Sequence, residues 1–211
     1  DPDPGGIAEQ SEHFGGQVDV LRGRTNTTNL VIRIHTQILA LGFSSGLAHR
    51  ALTAIADHPA LDTIRAGVLD GLKAEGFEEG KNLTVDFQSA QGSTANAAQI
   101  AKKFAGANPD AIIAITTPSA QAVAAATKTI PVVFAGITDP IGAKLIQNWQ
   151  PSGTNITGTS NHRSMEPDLA LMRELLPNLK NIGYVYSPGE ANSVSMLNDL
   201  REQARKQGLN V

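Results

Sequence analysis

From Ala51 onward the chain alternates two patterns: short, nearly continuous apolar runs, and longer segments whose apolar positions recur every three or four residues. ALTAIAD (51–57) is an apolar run ending in an acid. Residues 60–76 then place Leu61, Ile64, Val68 and Leu72 on one helical face, with Gly76 as the stop. NLTVDFQSA (82–90) alternates as a strand, and 94–109 is a helix with Ala97, Ile100, Ala101 and Phe104 inward. AIIAITT (111–117) is a fully apolar strand, followed by an Ala-rich helix over 119–128. Strand 131–138 leads into a helix start at Pro140, covering 140–148, and strand 155–161 precedes a helix over 165–178. One more strand (181–188) and helix (192–208) follow, and 209–211 reads as the opening of a further strand. Continuous apolar strands alternating with amphipathic helices predict an α/β fold: a parallel sheet with helices on both faces.

In such sheets ligands bind beyond the carboxyl ends of the strands, where this sequence is distinctive. The ends read Asp57-His58-Pro59, Thr116-Thr117-Pro118-Ser119 and Thr138-Asp139-Pro140, and the 181–188 strand runs into Ser187-Pro188-Gly189-Glu190-Ala191-Asn192-Ser193. Taken singly, each of the first three is a good helix start: a capping residue beside a Pro that has no N–H to leave unpaired. Taken together they aim several helix N-termini at one edge, where free N–H groups and positive dipole ends suit a carboxylate. Asp57, Asp139 and Glu190 on that edge suit a cation, so a ligand carrying both charges, such as an amino acid, uses both.

Residues 1–50 depart from this pattern. The first 17 are rich in Gly, Pro and acids and show no apolar period. Residues 30–51 place Arg33 and His35 before an apolar run from Ile38 to Phe43 and then Ser44, Ser45, Gly46 and Ala48, the order of a degenerate secretory signal. That segment is too short and too polar to span a bilayer. An ordinary amphipathic helix or strand is the alternative.

Composition narrows the function. Hydrophobic residues make up 41% and charged residues 18%, so the chain is globular. Lys+Arg 17 against Asp+Glu 20 gives a net charge of −3, and aromatics are 4%. Neither an electrostatic footprint nor a stacking platform for nucleic acid is present. The absence of Cys excludes thiolate metal sites, Cys nucleophiles and a lipid-modified Cys within these residues. The five His, at 13, 35, 49, 58 and 162, lack metal-ligand spacing, and His58 reads as a helix-start residue. No G-x-G-x-x-G follows a strand, so no dinucleotide cofactor is called for. Gly76 to Asn82 only superficially resembles a phosphate loop: it precedes a strand, and Asn stands where magnesium needs Ser or Thr. Gly42-Phe43-Ser44-Ser45-Gly46 matches a nucleophile elbow but lacks the strand, helix and partners that an elbow requires. No catalytic residue, metal or cofactor is expected, and the chain does not read as an enzyme.

The blocks HPALDTIRAGVLDGLKAEGFEEGKNLTVDFQSAQG, PDAIIAITTPSAQAVAAATKTIPVVFAGITDPIGAKL and YVYSPGEANS carry a resemblance. From Ala51 to Val211 the chain resembles the substrate-binding proteins of ABC transporters of the tryptophan/tyrosine type. The resemblance implies a type I periplasmic-binding-protein fold, whose two α/β lobes close on a small ligand. It also implies an amino-acid-like ligand, aromatic or otherwise hydrophobic; a membrane permease with its ATPase subunit as partners; a monomer; and a periplasmic location. On this pattern Thr116, Thr117, Ser119 and Ala120 of TTPSAQ cradle the carboxylate. Thr138 and Asp139 follow, with Asp139 facing the ammonium group, and Asp57 lies on the same edge. Glu190, Asn192 and Ser193 close from the second lobe. The expected organisation is an irregular head (1–50), a first lobe (51–161) and the start of a second lobe (162–211) that is incomplete at the C-terminus. The alternatives are the ligand-sensing domain of a transcription regulator, which would need a helix-turn-helix ahead of Ala51, and an enzyme on a doubly wound sheet.

Overall fold

The computed structural model describes residues 21–22, 47–150, 153–162 and 164–211. The elbow-like motif at 42–46 and the apolar run of the signal-like segment lie outside the described residues. Strand β1 is Leu21–Arg22, β2 is Ala48–Ala54, β3 is Leu83–Ser89, β4 is Ala111–Ile115, β5 is Val132–Ile137 and β6 is Ile156–Ser160. All pair in parallel, in the spatial order β1-β6-β5-β4-β2-β3. Two expectations about the head change here. Leu21–Arg22 joins the sheet edge, and the first long strand starts at Ala48, so Ala48 and Arg50 belong to the core.

The apolar runs are continuous because both faces of the sheet are covered. Leu52, Ala54, Ile113 and Ile115 face Val68 and Leu72 of α1 (Pro59–Ala74). The alternate residues Ala51, Ile112 and Ala114 face Ala97, Ile100, Ala101 and Phe104 of α2 (Thr94–Ala107), and Ala120 and Val123 of α3 (Thr117–Ala126). The predicted inward positions of α1 and α2 are therefore the observed ones, except that Leu61 and Ile64 are only partly buried. His58 caps α1 by accepting from the Ala60 N–H at 3.1 Å, with Pro59 at the first helical position. Asn108, in the left-handed region (φ 47°), ends α2 ahead of Pro109.

Chain order fixes the functional edge. From β2 the chain moves outward to β3, then crosses back over β2 to β4 and continues to β5 and β6. The direction reverses between β2 and β4, and the crevice at such a switch point opens at the strands' carboxyl ends. Asp57 follows β2 and Thr116 follows β4, so topology places both beside it.

Two predicted elements do not form. Residues 140–148 are a compact turn, not a helix: Ala143 N–H donates to Asp139 O at 2.9 Å and Leu145 N–H to Pro140 O at 2.9 Å. Lys144 adopts φ 58°, which no continuing helix accommodates, and Ala143, Leu145 and Ile146 all enter the core. The 181–188 run is not a strand either. Its sheet pairing is a single parallel bridge, Asn181 with Asn210. A strand needs neighbours to satisfy its backbone groups, and here the short 209–211 segment is the partner. Val185 is consequently 99% exposed. Residues 209–211, expected to begin a further strand, likewise form only this bridge. Helices α4 (Glu166–Leu175) and α5 (Ala191–Lys206) close a small separate core of Met165, Leu169, Leu200, Ala204 and Leu209. Among the described residues no helix is long and apolar enough to cross a membrane.

Candidate functional site

The turn from β4 into α3 takes one residue. Thr116 bridges them at φ 76°, ψ 158°, a backbone region that is essentially reserved for glycine. Its N–H donates to Ala135 O and its carbonyl accepts from Ala120 N–H, both at 3.0 Å, so the conformation is clamped from both sides. The geometry makes no side-chain cap on α3. The first-turn N–H groups of a helix have no intrahelical acceptor, and here the positive end of the dipole meets no capping oxygen from Thr116.

Two hydroxyls share this helix start. Thr116 Oγ1 and Ser119 Oγ are buried without a hydrogen-bond partner, and Ser119 is fully enclosed. An unpaired buried hydroxyl costs about 1–3 kcal/mol. Strain, an uncapped dipole and two unpaired hydroxyls together suit this helix start to cradling an anionic oxygen pair. Thr117 is buried beside them. Ala120 lies in the apolar cluster with its N–H committed to Thr116 O, so it supplies packing to the cradle.

The next loop presents a carboxylate. Asp139, after β5, is half-buried. Its Oδ1 accepts from Gly142 N–H at 2.8 Å and its Oδ2 accepts from Ser195 Oγ–H at 2.7 Å. Gln121 of α3 donates to Ala143 O at 3.0 Å and so ties this loop to the cradle helix. Thr138, also half-buried, accepts through its carbonyl from Ser160 Oγ at 3.4 Å.

From the other side, α5 leans over the same edge, with Ala191 packed against the main core. Asn192 Oδ1 is a third buried, unpartnered polar atom. Ser193 Oγ accepts from Ser187 N–H at 2.9 Å and Glu190 N–H donates to Ser187 O at 3.1 Å, which closes the loop leading into α5. Glu190 occupies the N-cap position of α5 without a side-chain cap bond. Asp57 is exposed at the mouth of the crevice. The fold thus gathers the α3 start, Asp139 and the α5 start, whereas Asp57 stands further out in solvent. Among the described residues no cluster suited to a metal ion exists.

Ser195 and Gly142 escaped the sequence reading, and Gln121 entered it only as the end of the TTPSAQ block, without its tie to the Asp139 loop. A signal existed for Ser195: it follows Asn192 by three positions and therefore shares its helix face. Nothing in the local pattern marks Gly142, which matters only through the approach of the Asp139 carboxylate.

With this geometry, similarity to known proteins becomes informative. A family model described as ABC transporter substrate binding protein matches residues 50–211. A tyrosine-binding protein of Clostridioides difficile is 37% identical over 160 residues, 76% of this chain and 46% of the relative. A conserved domain protein from Vibrio cholerae, solved as a crystal structure, shares 52% identity with a TM-score of 0.76, over 78% of this chain and 55% of that one. An ABC domain from Streptococcus pneumoniae, solved in complex with L-Trp, shares 37% identity with a TM-score of 0.75, over 79% and 56% respectively. The chain spans about half the length of the relatives it matches.

Proposed function

The chain belongs to the ABC transporter substrate-binding protein family, and from that premise we propose that it captures an amino acid with an aromatic side chain and delivers it to a membrane permease. The observation that carries this is the start of α3: a strained, uncapped helix N-terminus with two buried hydroxyls that lack partners. Such a start is complementary to an α-carboxylate, and Asp139, tied to the same helix through Gln121, is complementary to an ammonium group. The aromatic side chain is inferred from the relatives whose names specify tyrosine or L-Trp.

Residues 51–161 would act as one lobe and 162–211 as the opening part of the other, with Glu190, Asn192 and Ser193 closing over the ligand. No bond is made or broken; the ligand stabilises closure by touching both sides. The permease and its ATPase subunit are the proposed partners, and a monomer outside the cytoplasmic membrane is the proposed form. A ligand sensor feeding a transcription regulator finds no supporting observation among the described residues.

The test is a thermal-shift panel of the twenty L-amino acids. Ligand at about a hundred times Kd adds about 2.7 kcal/mol, which for a chain of this size raises Tm by about 5–10 °C. L-tyrosine or L-tryptophan should give that rise. A flat response across the panel would sink the substrate class, and a full response retained in Asp139→Ala would sink the ammonium assignment alone.

A further inference from the structure

We propose that Ser195 is a positioning residue for the cation-binding carboxylate, so that the amino-group site is complete only when α5 is seated on the sheet edge. This rests on the reading of Asp139 as the partner of the ligand's amino group. Three observations carry it.

The first is that the Asp139 side chain is held from two elements that are far apart in sequence. Gly142, within its own turn, binds Oδ1, and Ser195, 56 residues away on α5, binds Oδ2. The second is the tightness of the turn. A Cβ built on Gly142 would sit 2.9 Å from Asp139 Cγ and closer still to Oδ2, so the carboxylate presses against bare backbone and has little rotational latitude. The third is the position of Ser195. It shares a helix face with Asn192, whose Oδ1 is buried without a partner, and it lies on α5, whose Ala191 packs against the main core.

A carboxylate oxygen offers two lone-pair directions. The Ser195 hydroxyl takes one on Oδ2 and leaves the other for an arriving ammonium group. With α5 in place, the carboxylate is already turned toward the crevice and pays no rotamer entropy when the cation binds. With α5 withdrawn, Oδ2 loses its donor and the carboxylate is held through Oδ1 alone. One hydroxyl therefore couples capture of the amino group to apposition of the two halves.

The experiment compares the wild-type chain with Ser195→Ala and Ser195→Thr, using L-tyrosine and its desamino analogue 3-(4-hydroxyphenyl)propanoate as probes. Alanine is the better helix former, so α5 is retained in the first variant. A hydrogen bond to a charged acceptor is worth enough that Ser195→Ala should weaken L-tyrosine binding about tenfold. Ser195→Thr, which keeps the hydroxyl, should stay close to wild type, and the desamino analogue should bind wild type and Ser195→Ala alike. In the ligand-free chains, exchange of the Gly142 amide should quicken in Ser195→Ala and recover in Ser195→Thr. Equal loss for both probes, or no loss for either, overturns the positioning role while leaving the amino-acid reading intact. If wild type binds no amino acid in the panel above, the functional reading falls and this role falls with it.

Discussion

Adding one methyl group at Gly158 should cost more than adding one at Gly136, where the obstacle is the movable end of the Ile64 side chain. Gly158 of β6 pairs with Phe134 of β5, and an alanine Cβ there would meet Phe134 Cδ2 at 2.5 Å, Cγ at 2.6 Å and the carbonyl oxygen of the same residue closer still. Favourable carbon contacts lie at about 3.5–4.0 Å, so the methyl group is about 1 Å too deep. The obstacle cannot rotate aside. The oxygen is backbone within the sheet, and the ring is fully buried in the main cluster. Relief requires β5 and β6 to separate, at about 1 kcal/mol per weakened ladder bond, on top of about 1–3 kcal/mol of overpacking. A loss of about 3–5 kcal/mol follows, a large share of the roughly 5–15 kcal/mol that folded domains possess. Urea titration followed by far-ultraviolet circular dichroism measures it. Gly106→Ala is the control: it adds the same methyl group inside α2, where nothing lies within 4 Å. That change should stabilise by about 0.5 kcal/mol through helix propensity. A Gly158→Ala midpoint matching wild type, or a Gly106→Ala loss of similar size, would refute the steric argument.

Three further outcomes follow from the same geometry. Thr116→Gly should raise the Tm of the ligand-free chain by relieving about 1–3 kcal/mol of backbone strain, less the entropy cost of glycine, while weakening amino-acid binding; a variant both stable and fully active would show that the hydroxyl is idle. Asp110→Ala removes the carboxylate that pairs with the buried Arg50 at 3.1 Å and accepts from His49 N–H at 2.7 Å. Burial pulls the Arg50 guanidinium below its ordinary pKa, and the Asp110 charge and hydrogen bond push it back up. Because Asp110 is 34% exposed, the loss should be about 2 kcal/mol, under the 3–5 kcal/mol of a fully buried pair; Arg50→Met in the same chain should recover part of it, and a wild-type midpoint in Asp110→Ala would rule out the pair as a stabilising contact. Glu78 is held below the usual carboxylate range by its hydrogen bond with Lys81 and by that residue's charge. Its small, salt-screened contribution is therefore present above the unfolded pKa and fades as pH falls through the lowered folded one. Lys81→Met should return the Glu78 titration upward in a carbon-detected NMR series, and an unchanged curve would remove Lys81 as the cause.

Helices with a clean apolar period were legible before folding. The faces of α1 and α2 appear at the expected residues because a 3.6-residue repeat fixes which side chains can share a surface. Failures arose where an element's existence depended on something distant. The turn at 140–148 has the apolar content of a helix, yet Lys144 enters the left-handed region, and the chain reverses so that Ala143, Leu145 and Ile146 all reach the core. The 181–188 run has strand composition, but a strand is completed by its neighbours, and its pairing here is one bridge. The same distinction divides the site. Thr116, Ser119, Asp139 and Asn192 were recognisable as polar residues placed where strands end and helices begin. That Ala120 packs inward, and that Ser195 reaches Asp139, depended on how α3 and α5 settle on the sheet.

By itself, then, the sequence determined the alternation of strands and helices, the edge at which charge and capping residues collect, and the family. Periodicity, turn chemistry and composition are local properties, and local physics is written in residue order. Tertiary structure alone decided that Thr116 is forced into a glycine-type conformation, that its hydroxyl and that of Ser119 are left unpaired, and that a serine 56 residues away completes the environment of one carboxylate. Those are properties of contacts between segments with no sequence relation, and they exist only once the sheet has brought the segments together.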